Sequence, residues 1–205
     1  MSAIVNLGIG YLIGCISPAA WISKKKNVDL KNEGTKNLGA TNTALVLGKK
    51  AGYFVLVFDM LKSIFSYKLA RALFPHLAAA GIIACIGVIL GHCFPMTMNF
   101  QGGKGLAAFG GLVLAHDPLL FAVLLSLGIV IALILNYGVY LAVSAALLFP
   151  ILNYARSGDT ASSVLAAVAS GIIIVMHWGN LHRAVTHEDP IRTRDGLKKI
   201  FGKKK

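Results

Sequence analysis

The chain has 205 residues, of which 56% are hydrophobic, and its mean hydropathy is +0.71. Apolar runs recur along nearly its whole length, which excludes a soluble domain and indicates an integral membrane protein. The net charge of +12 is concentrated between those runs, which favours anionic lipid over nucleic acid as a partner. The three cysteines, which lack CxxC spacing, are typical of inert core residues rather than of a disulfide framework or a zinc site.

The apolar runs predict an all-α integral membrane protein. In chain order they cover residues 3–22, 51–73, 77–93, 106–115, 118–136, 139–154 and 161–176. A bilayer core requires about 20 apolar residues, but the run at 106–115 would span only about 16 Å as a helix. It is either shielded by neighbouring helices or joined to a re-entrant loop, which we favour over a simple surface turn. The sequence therefore predicts about seven transmembrane helices, or five if 51–73 and 106–115 do not cross fully.

The basic residues predict how those helices are oriented. Seven lysines lie within residues 23–50, which we expect to be a polar loop, Lys104 follows the third run, and eight Lys and Arg follow His177. The loops of the opposite side carry two arginines. The positive-inside rule therefore predicts an N-terminus outside and a basic cytoplasmic tail from about residue 184. We expect residues 1–205 to form a single membrane domain.

The first polar motif lies at residues 34–42, within the basic segment after the first run. Two glycines flank small side chains that can donate hydrogen bonds to a phosphate or a hydroxyl without adding charge. The alternative is a solvated turn leading into a helix, with a Thr or Asn as its N-cap. The candidate binding residues are Thr35, Asn37, Thr41 and Asn42.

The second polar motif, at residues 91–105, combines a histidine with a glycine-rich turn and a lysine. Gly102 and Gly103 allow the main chain to approach a ligand and to turn its N–H groups inward. Lys104 adds a compact positive charge, and together these groups predict a nest for a phosphate oxygen. The alternative is a tight turn with a lysine on the water side, and a His92 that bonds to a neighbouring helix.

The third polar motif begins at the end of the last apolar run. His177, Asn180 and Arg183 are spaced three apart, so a continuing helix would place them roughly on one face. An imidazole, an amide and a guanidinium presented together can bind phosphate and stabilise a transferring phosphoryl or acyl oxygen. The alternative is a membrane-edge helix that is anchored at the interface by Trp178 and Arg183.

Two charges lie within the second apolar run. Asp59 and Lys62 are three residues apart, and because charges inside a membrane are expensive, we expect them to pair with each other. A structural ion pair is the favoured interpretation.

Several common signatures are absent from the sequence. No His is followed five positions on by Asp, and Met98 stands where a Walker-type G-x-x-x-x-G-K would need glycine. No His, Cys and carboxylate cluster indicates a catalytic metal. An organic-phosphate transporter, the main alternative from another class, would show polar motifs repeated in two halves and a polar path across the bilayer. The sequence shows no such repeat.

The order and spacing of the three motifs resemble the acyl-phosphate-dependent glycerol-3-phosphate acyltransferase family of bacterial membranes. Residues 34–42 resemble the family pattern G-S-G-N-x-G-A-T-N, and Asp59 and Lys62 match its D-x-x-K. The pattern H-x-x-N-x-x-R is matched by His177, Asn180 and Arg183. The pattern G-H-x-x-P…F-x-G-G-K-G is matched by Gly91, His92, Pro95, Phe100, Gly102, Gly103, Lys104 and Gly105.

The resemblance implies a seven-helix protein of the bacterial cytoplasmic membrane, with its active site at the cytoplasmic face. The implied reaction transfers an acyl group from acyl phosphate to the 1-hydroxyl of glycerol 3-phosphate, giving lysophosphatidic acid and phosphate, the first step of phospholipid synthesis. An acyl phosphate is already activated, so no covalent nucleophile, cofactor or metal is implied. The implied partners are these two substrates, membrane lipids and an upstream acyl-phosphate-forming enzyme.

The resemblance also assigns roles to residues. Lys104 and the amides around Gly103 would hold the donor phosphate, and His177 is the second catalytic candidate. The general base, either His177 or the donor's own phosphate, stays open. The implied phosphate- and substrate-binding residues are Thr35, Asn37, Thr41, Asn42, His92, Gly102, Gly103, Asn180 and Arg183.

The chain departs from the family patterns at several positions. Loss of an Arg and two serines removes donors that would bind phosphate, which allows a divergent paralogue with an altered acceptor. We expect Lys36 to replace part of the lost positive charge. The departures are Thr35 and Lys36 for Ser and Gly, Leu45 for Arg, Tyr140 and Val143 for two serines, and Asp189 for Glu.

Overall fold

A computed structural model of the chain describes residues 1–188 and 192–201. The regular elements in those two ranges are helical, so the predicted all-α class is confirmed there. The α-helices, in chain order, are α1 (Ser2–Gly14), α2 (Pro18–Lys26), α3 (Ala40–Leu47), α4 (Lys49–Leu73), α5 (Ala80–Cys93), α6 (Leu106–His116), α7 (Pro118–Leu135), α8 (Val139–Ser157), α9 (Thr160–Val185) and α10 (Thr193–Phe201).

The protein is a multi-pass membrane protein. Helix α4 has 25 residues, which is about 37 Å of helix and long enough to cross a membrane, but its sequence carries several charged residues. Helix α6 has only 11 residues. Across residues 1–188 and 192–201, five helical stretches are long and apolar enough to cross a membrane: Ser2–Lys26, Ala80–Met98, Pro118–Leu135, Val139–Ser157 and Thr160–Val185.

The predicted continuous helix at residues 3–22 is wrong at one point, because the helix breaks between Gly14 and Pro18. Pro18 has no N–H, so the Gly14 carbonyl loses its normal partner four residues on. Ser17 caps the new helix, since its Oγ accepts from Ala20 N–H at 3.3 Å. Lys62 Nζ of α4 donates to the exposed Gly14 carbonyl at 3.1 Å. The break is therefore stabilised from outside its own helix.

The predicted polar loop at residues 23–50 also contains a helix, α3. Gly39 precedes its first turn in an extended conformation, and Gly48 ends it with a φ of 90°. The N-cap is thus Gly39 and not a Thr or Asn of the motif. The hydroxyl of Thr43 donates back to the Gly39 carbonyl at 2.9 Å. Ala40 to Leu47 was too short an apolar stretch to be distinguished from a loop by its periodicity.

Helices α1 and α5 pack backbone against backbone. Each carries two glycines four residues apart, Gly10 and Gly14 on α1 and Gly87 and Gly91 on α5. A β-carbon at Gly10 would lie 2.0 Å from the Ala84 carbonyl oxygen, and one at Gly91 would lie 2.1 Å from that of Tyr11. Such spacing lets membrane helices approach closely. The packing fixes the C-terminal end of α5, from which the second motif departs.

The short helix α6 is enclosed by its neighbours. Phe109 and Leu112 are fully buried, and a β-carbon at Gly111 would lie 2.4 Å from the Met60 carbonyl oxygen of α4. The loop before α6 folds back onto the end of α5. Of the two explanations for the short run at 106–115, shielding by neighbouring helices agrees with this packing.

Candidate active site

Asn42 organises the loop of the first motif. Its side chain is completely buried. The Nδ2 group donates to the carbonyls of Leu30, Glu33 and Asn37 at 2.8, 3.0 and 2.9 Å, and Oδ1 accepts from Thr35 N–H at 2.6 Å. The amide is therefore engaged with the loop itself, and its predicted contact with substrate stays a prediction.

The same loop holds two residues in the left-handed backbone region. Gly34 has a φ of 60° and Lys36 a φ of 53°. A β-carbon at Gly34 would lie 2.2 Å from Asn42 Oδ1, which explains the glycine. The side chains of Thr35, Lys36 and Thr41 are exposed on the surface of the loop. These exposed groups are the ones a ligand can reach.

The glycines of the second motif differ from the expectation. Gly102 N–H donates to the Cys93 carbonyl and Gly103 N–H to the His92 carbonyl, each at 3.0 Å. These two donors point back at the end of α5 and are engaged there, so the binding of a phosphate by Gly102 and Gly103 stays a prediction. The glycines serve close approach instead, since a β-carbon at Gly102 would lie 2.0 Å from the His92 carbonyl oxygen. They set the position of Lys104, which follows them.

A buried charge cluster supports this loop from behind. Lys62 Nζ lies 2.8 Å from Asp59 Oδ1 and 3.0 Å from His92 Nδ1, and His92 Nδ1 lies 3.4 Å from Asp59 Oδ1. All three side chains are buried. The other edge of the His92 ring faces Gly103, where a β-carbon would lie 2.2 Å from Nε2. His92 therefore connects the ion pair to the loop, and its direct contact with substrate stays a prediction.

Lys104, Asn180 and Arg183 meet in a cationic cluster. Asn180 Oδ1 accepts from Lys104 Nζ at 2.5 Å and from Arg183 Nη2 at 2.6 Å. Helix α9 continues unbroken to Val185, so the continuing helix assumed for the third motif is observed. One neutral amide oxygen thus holds two positive side chains that come from different motifs.

His177 is buried one helical turn before Asn180. Its Nδ1 lies 2.9 Å from the Ile173 carbonyl oxygen. A carbonyl can only accept, so Nδ1 carries the hydrogen and Nε2 keeps its lone pair in the neutral ring. This tautomer suits a group that accepts a proton.

The three motifs are brought to one end of the molecule. A β-carbon at Gly103 would lie 2.9 Å from the Leu38 carbonyl oxygen, and Lys31 Nζ donates to Gln101 Oε1 at 3.5 Å. The first motif thus rests against the second, and the second reaches the third through Lys104. Within the part of the chain that the structure describes, no group of three His, Cys, Asp or Glu side chains could hold a metal ion.

Two departures from the family patterns lie on α8. Tyr140 and Val143 pack against a buried cluster of Tyr137, Val139 and Ala184, the last of which follows Arg183 in the chain. Val143 replaces a serine hydroxyl of the family pattern by an apolar side chain, whereas Tyr140 keeps a phenolic hydroxyl on a large ring. Leu45 is half-buried on α3. Asp189 lies outside the described residues.

Sequence reasoning missed the part played by the break near Pro18. Lys62 donates to the Gly14 and Ile16 carbonyls at 3.1 and 3.0 Å, in addition to pairing with Asp59. The signal was present, because a Ser-Pro pair is typical of a helix start. It was outweighed by the length of the apolar run.

The fold and site define a multi-pass membrane protein with a cationic cluster at one end. The model of the glycerol-3-phosphate acyltransferase family matches residues 4–187. A glycerol-3-phosphate acyltransferase of a Thermoanaerobacter species is 33% identical over 184 residues, which cover 89% of this chain and 92% of the relative. One from Shewanella loihica is 36% identical over 181 residues, which cover 87% of each chain.

Solved structures agree with these relatives. They are of the integral membrane glycerol 3-phosphate acyltransferase PlsY (YgiH). Its glycerol 3-phosphate form has a TM-score of 0.85 and 30% identity, covering 92% of this chain and 94% of that one. Its lysophosphatidic acid form has a TM-score of 0.85 and 28% identity, covering 96% and 99%. The chain belongs to the glycerol-3-phosphate acyltransferase family, and it is an acyltransferase.

Proposed function

We propose that the protein transfers an acyl group from an acyl phosphate to the 1-hydroxyl of glycerol 3-phosphate. The products are lysophosphatidic acid and inorganic phosphate, and the step begins phospholipid synthesis. The observation that carries the proposal is the shared contact of Lys104 and Arg183 with Asn180 Oδ1. Membership of the family and the two ligand forms of PlsY support the choice of acceptor and product.

The cationic cluster explains why the site selects anions. Lys104 and Arg183 bring two positive charges to the same oxygen, so a phosphate bound beside them is attracted by both. The guanidinium of Arg183 can bind phosphate through two parallel hydrogen bonds, whereas Lys104 acts as a compact charge. The N-terminal turn of α6, which starts directly after Lys104 and Gly105, adds a further partial positive charge.

The reaction needs positioning more than covalent catalysis. The 1-hydroxyl oxygen of the acceptor attacks the acyl carbon, the bond from that carbon to the phosphate oxygen breaks, and phosphate leaves. Lys104 stabilises the negative charge that grows on the leaving phosphate. The hydroxyl proton passes either to His177 Nε2 or to the departing phosphate. Thr35, Asn37 and Thr41 complete the donor-phosphate site from the first motif.

We further propose that the chain crosses the membrane seven times. The N-terminus lies outside, and the site and the tail from about residue 184 lie in the cytoplasm of a bacterium. The 25-residue length of α4, the enclosure of α6 and the distribution of Lys and Arg support this. Residues 1–205 then act as one domain. Ser2→Cys is expected to react with an impermeant maleimide on intact cells, and Thr186→Cys only after permeabilisation; the reverse pattern would reject this orientation.

The surroundings of the site supply its partners. Exposed apolar side chains of α7, such as Ile129, Val130 and Ile134, face the lipid. The acyl phosphate comes from a separate upstream enzyme that activates fatty acyl groups, because the proposed reaction consumes this anhydride and does not form it. Membership of the acyltransferase family favours acyl transfer by this chain over the alternative of an organic-phosphate transporter.

The test is an assay of purified protein with acyl phosphate and labelled glycerol 3-phosphate. Lys104→Met is expected to lower kcat about 100- to 1,000-fold, because it removes the charge that stabilises the leaving group. Lys50→Met, which removes an exposed lysine at the start of α4, is the matched control. No lysophosphatidic acid from wild type would reject the function, and full activity of Lys104→Met would reject the site.

A further inference from the structure

Lys36 is a positive charge held in a backbone conformation that glycine normally supplies. Its φ of 53° lies in the left-handed region, which residues with a β-carbon rarely adopt. Its side chain is exposed on the first motif. A lysine at this position therefore needs an explanation beyond the geometry of a turn.

The loop imposes this conformation from both sides. Asn42 accepts from the N–H of Thr35 at 2.6 Å and donates to the carbonyl of Asn37 at 2.9 Å. These hydrogen bonds fix the backbone on both sides of Lys36. The N–H of Lys36 donates to the Glu33 carbonyl at 3.0 Å. A strained residue persists only where its surroundings over-determine it, and such positions cluster at functional sites.

Lys36 lies two residues before a contact between the first and the second motif. Leu38, two residues on, has its carbonyl oxygen against Gly103, and Lys104 follows directly. Two residues span at most about 7 Å, and a lysine adds a flexible four-carbon stem. An ammonium on this stem can reach an anion that is bound at Lys104.

The site has a reason to use a third cation. The N–H groups of Gly102 and Gly103 are engaged with α5, and Val143, packed against the cluster that contains Ala184, has no hydroxyl where the family pattern has serine. Backbone and hydroxyl donors for phosphate are therefore reduced on both sides. A further charged side chain would offset this loss.

We propose that Lys36 is a binding residue for the phosphate group of a substrate, acting together with Lys104 and Arg183. The inference rests on the proposed acyl transfer. The recognised chemistry is a phosphate dianion, carried either by glycerol 3-phosphate or by the acyl donor. An exposed charge acts by attraction in the bound state, so its effect falls on KM rather than on kcat and weakens with salt.

The test compares Lys36→Asn with Lys36→Gly and Lys36→Arg. Asparagine tolerates the left-handed region but carries no charge. Glycine removes both the charge and the backbone strain of the positive φ, and arginine keeps the charge. Lys36→Asn and Lys36→Gly are expected to raise KM roughly tenfold for one of the two substrates, and Lys36→Arg to leave it nearly unchanged. The difference should shrink in about 1 M salt, where the Debye length is about 3 Å.

Separate titrations of the two substrates identify which phosphate Lys36 binds. Lys25→Gln, an exposed lysine of α2, is the matched control for general attraction of anions to the surface. An equal rise of KM in Lys25→Gln would overturn the proposal, as would unchanged KM values in Lys36→Asn. A rise in only one of the Asn and Gly variants would assign the effect to the backbone and also overturn it.

A binding measurement separates this inference from the proposed function. Calorimetric titration of purified wild type and Lys36→Asn with glycerol 3-phosphate, and with a non-hydrolysable acyl phosphonate, does not depend on turnover. Wild type that binds these compounds but forms no lysophosphatidic acid in the assay with acyl phosphate and glycerol 3-phosphate would reject the acyl transfer. A Kd that rises in Lys36→Asn would still support Lys36, and equal Kd values for both compounds would reject it.

Discussion

Two charged clusters lie on either side of the same glycine turn, and their difference separates structure from binding. In the first, Asp59 neutralises Lys62, whose side chain is 3% exposed, and the ammonium also donates to two main-chain carbonyls. In the second, Lys104 and Arg183 share the neutral oxygen of Asn180. The first cluster is buried and its charges stabilise the fold, whereas the second is partly exposed and can receive an anionic substrate.

The largest effect is expected from the first cluster. Lys62→Met removes the charged lysine partner of the buried Asp59 and leaves the Gly14 and Ile16 carbonyls without their donor. Breaking a buried pair in this way costs about 3–5 kcal/mol. We expect a large fall in the melting temperature of the detergent-purified protein, measured by intrinsic fluorescence. The exposed Lys68 of the same helix provides the control, Lys68→Met, which should melt like wild type.

The outcome also bears on catalysis. If the buried cluster of Asp59, Lys62 and His92 is structural, the Lys62→Met protein that remains folded should have a KM for glycerol 3-phosphate close to that of wild type. A Lys62→Met protein that melts normally but has lost its activity would contradict the distinction between the two clusters.

The second cluster should show the opposite pattern. Arg183→Met removes a charged hydrogen-bond donor that is exposed, so the melting temperature should change little. The KM for glycerol 3-phosphate should rise roughly 10- to 100-fold, because hydrogen bonds to charged groups contribute about 1.5–3 kcal/mol. Arg183→Lys should recover part of the loss, since it keeps the charge but not the planar fork.

Arg192→Met, which removes an exposed arginine of the tail, is the control for net charge. An equal rise of KM in that variant would show that Arg183 acts by general attraction and not within a cluster. A strongly lowered melting temperature in Arg183→Met would place Arg183 with the structural group.

The sequence predicted those parts of the site that depend on local geometry. The three-residue spacing of Asn180 and Arg183 implies one helix face, because helical periodicity is a local property, and the two side chains do touch. The cost of a charge in an apolar run likewise predicted that Asp59 would pair with Lys62. Both inferences needed no knowledge of distant elements.

The features that were missed depend on contacts far apart in the chain. The direction of the Gly102 and Gly103 N–H groups is set by the end of α5, onto which the loop folds back. The donation from Lys62 to Gly14 joins residues 48 positions apart. Motif spacing contains neither of these relations, so a glycine turn suited to phosphate could not be distinguished from one that caps a helix.

A surface ion pair gives the smallest expected effect and tests whether burial determines how much a charge pair contributes to stability. Arg156 Nε lies 2.5 Å from Asp117 Oδ2, with side chains 50% and 20% exposed. Partial burial acts to raise the pKa of Asp117, but hydrogen bonds from Arg156, Leu120 N–H and Leu119 N–H outweigh it and hold that pKa below the ordinary 3.8. The stabilisation is therefore complete above about pH 4 and is lost as the pH falls through the lowered folded value.

Arg156→Met should cost less than about 1 kcal/mol, because exposed pairs are screened by water and salt. The melting temperature should be nearly that of wild type at pH 7, and the small difference between the two proteins should vanish once the pH falls below the lowered pKa of Asp117, where that carboxyl is protonated. Melting curves across this range measure it. A loss at pH 7 as large as that of Lys62→Met would show that an opposite partner, and not burial, sets the contribution of a charge in this protein.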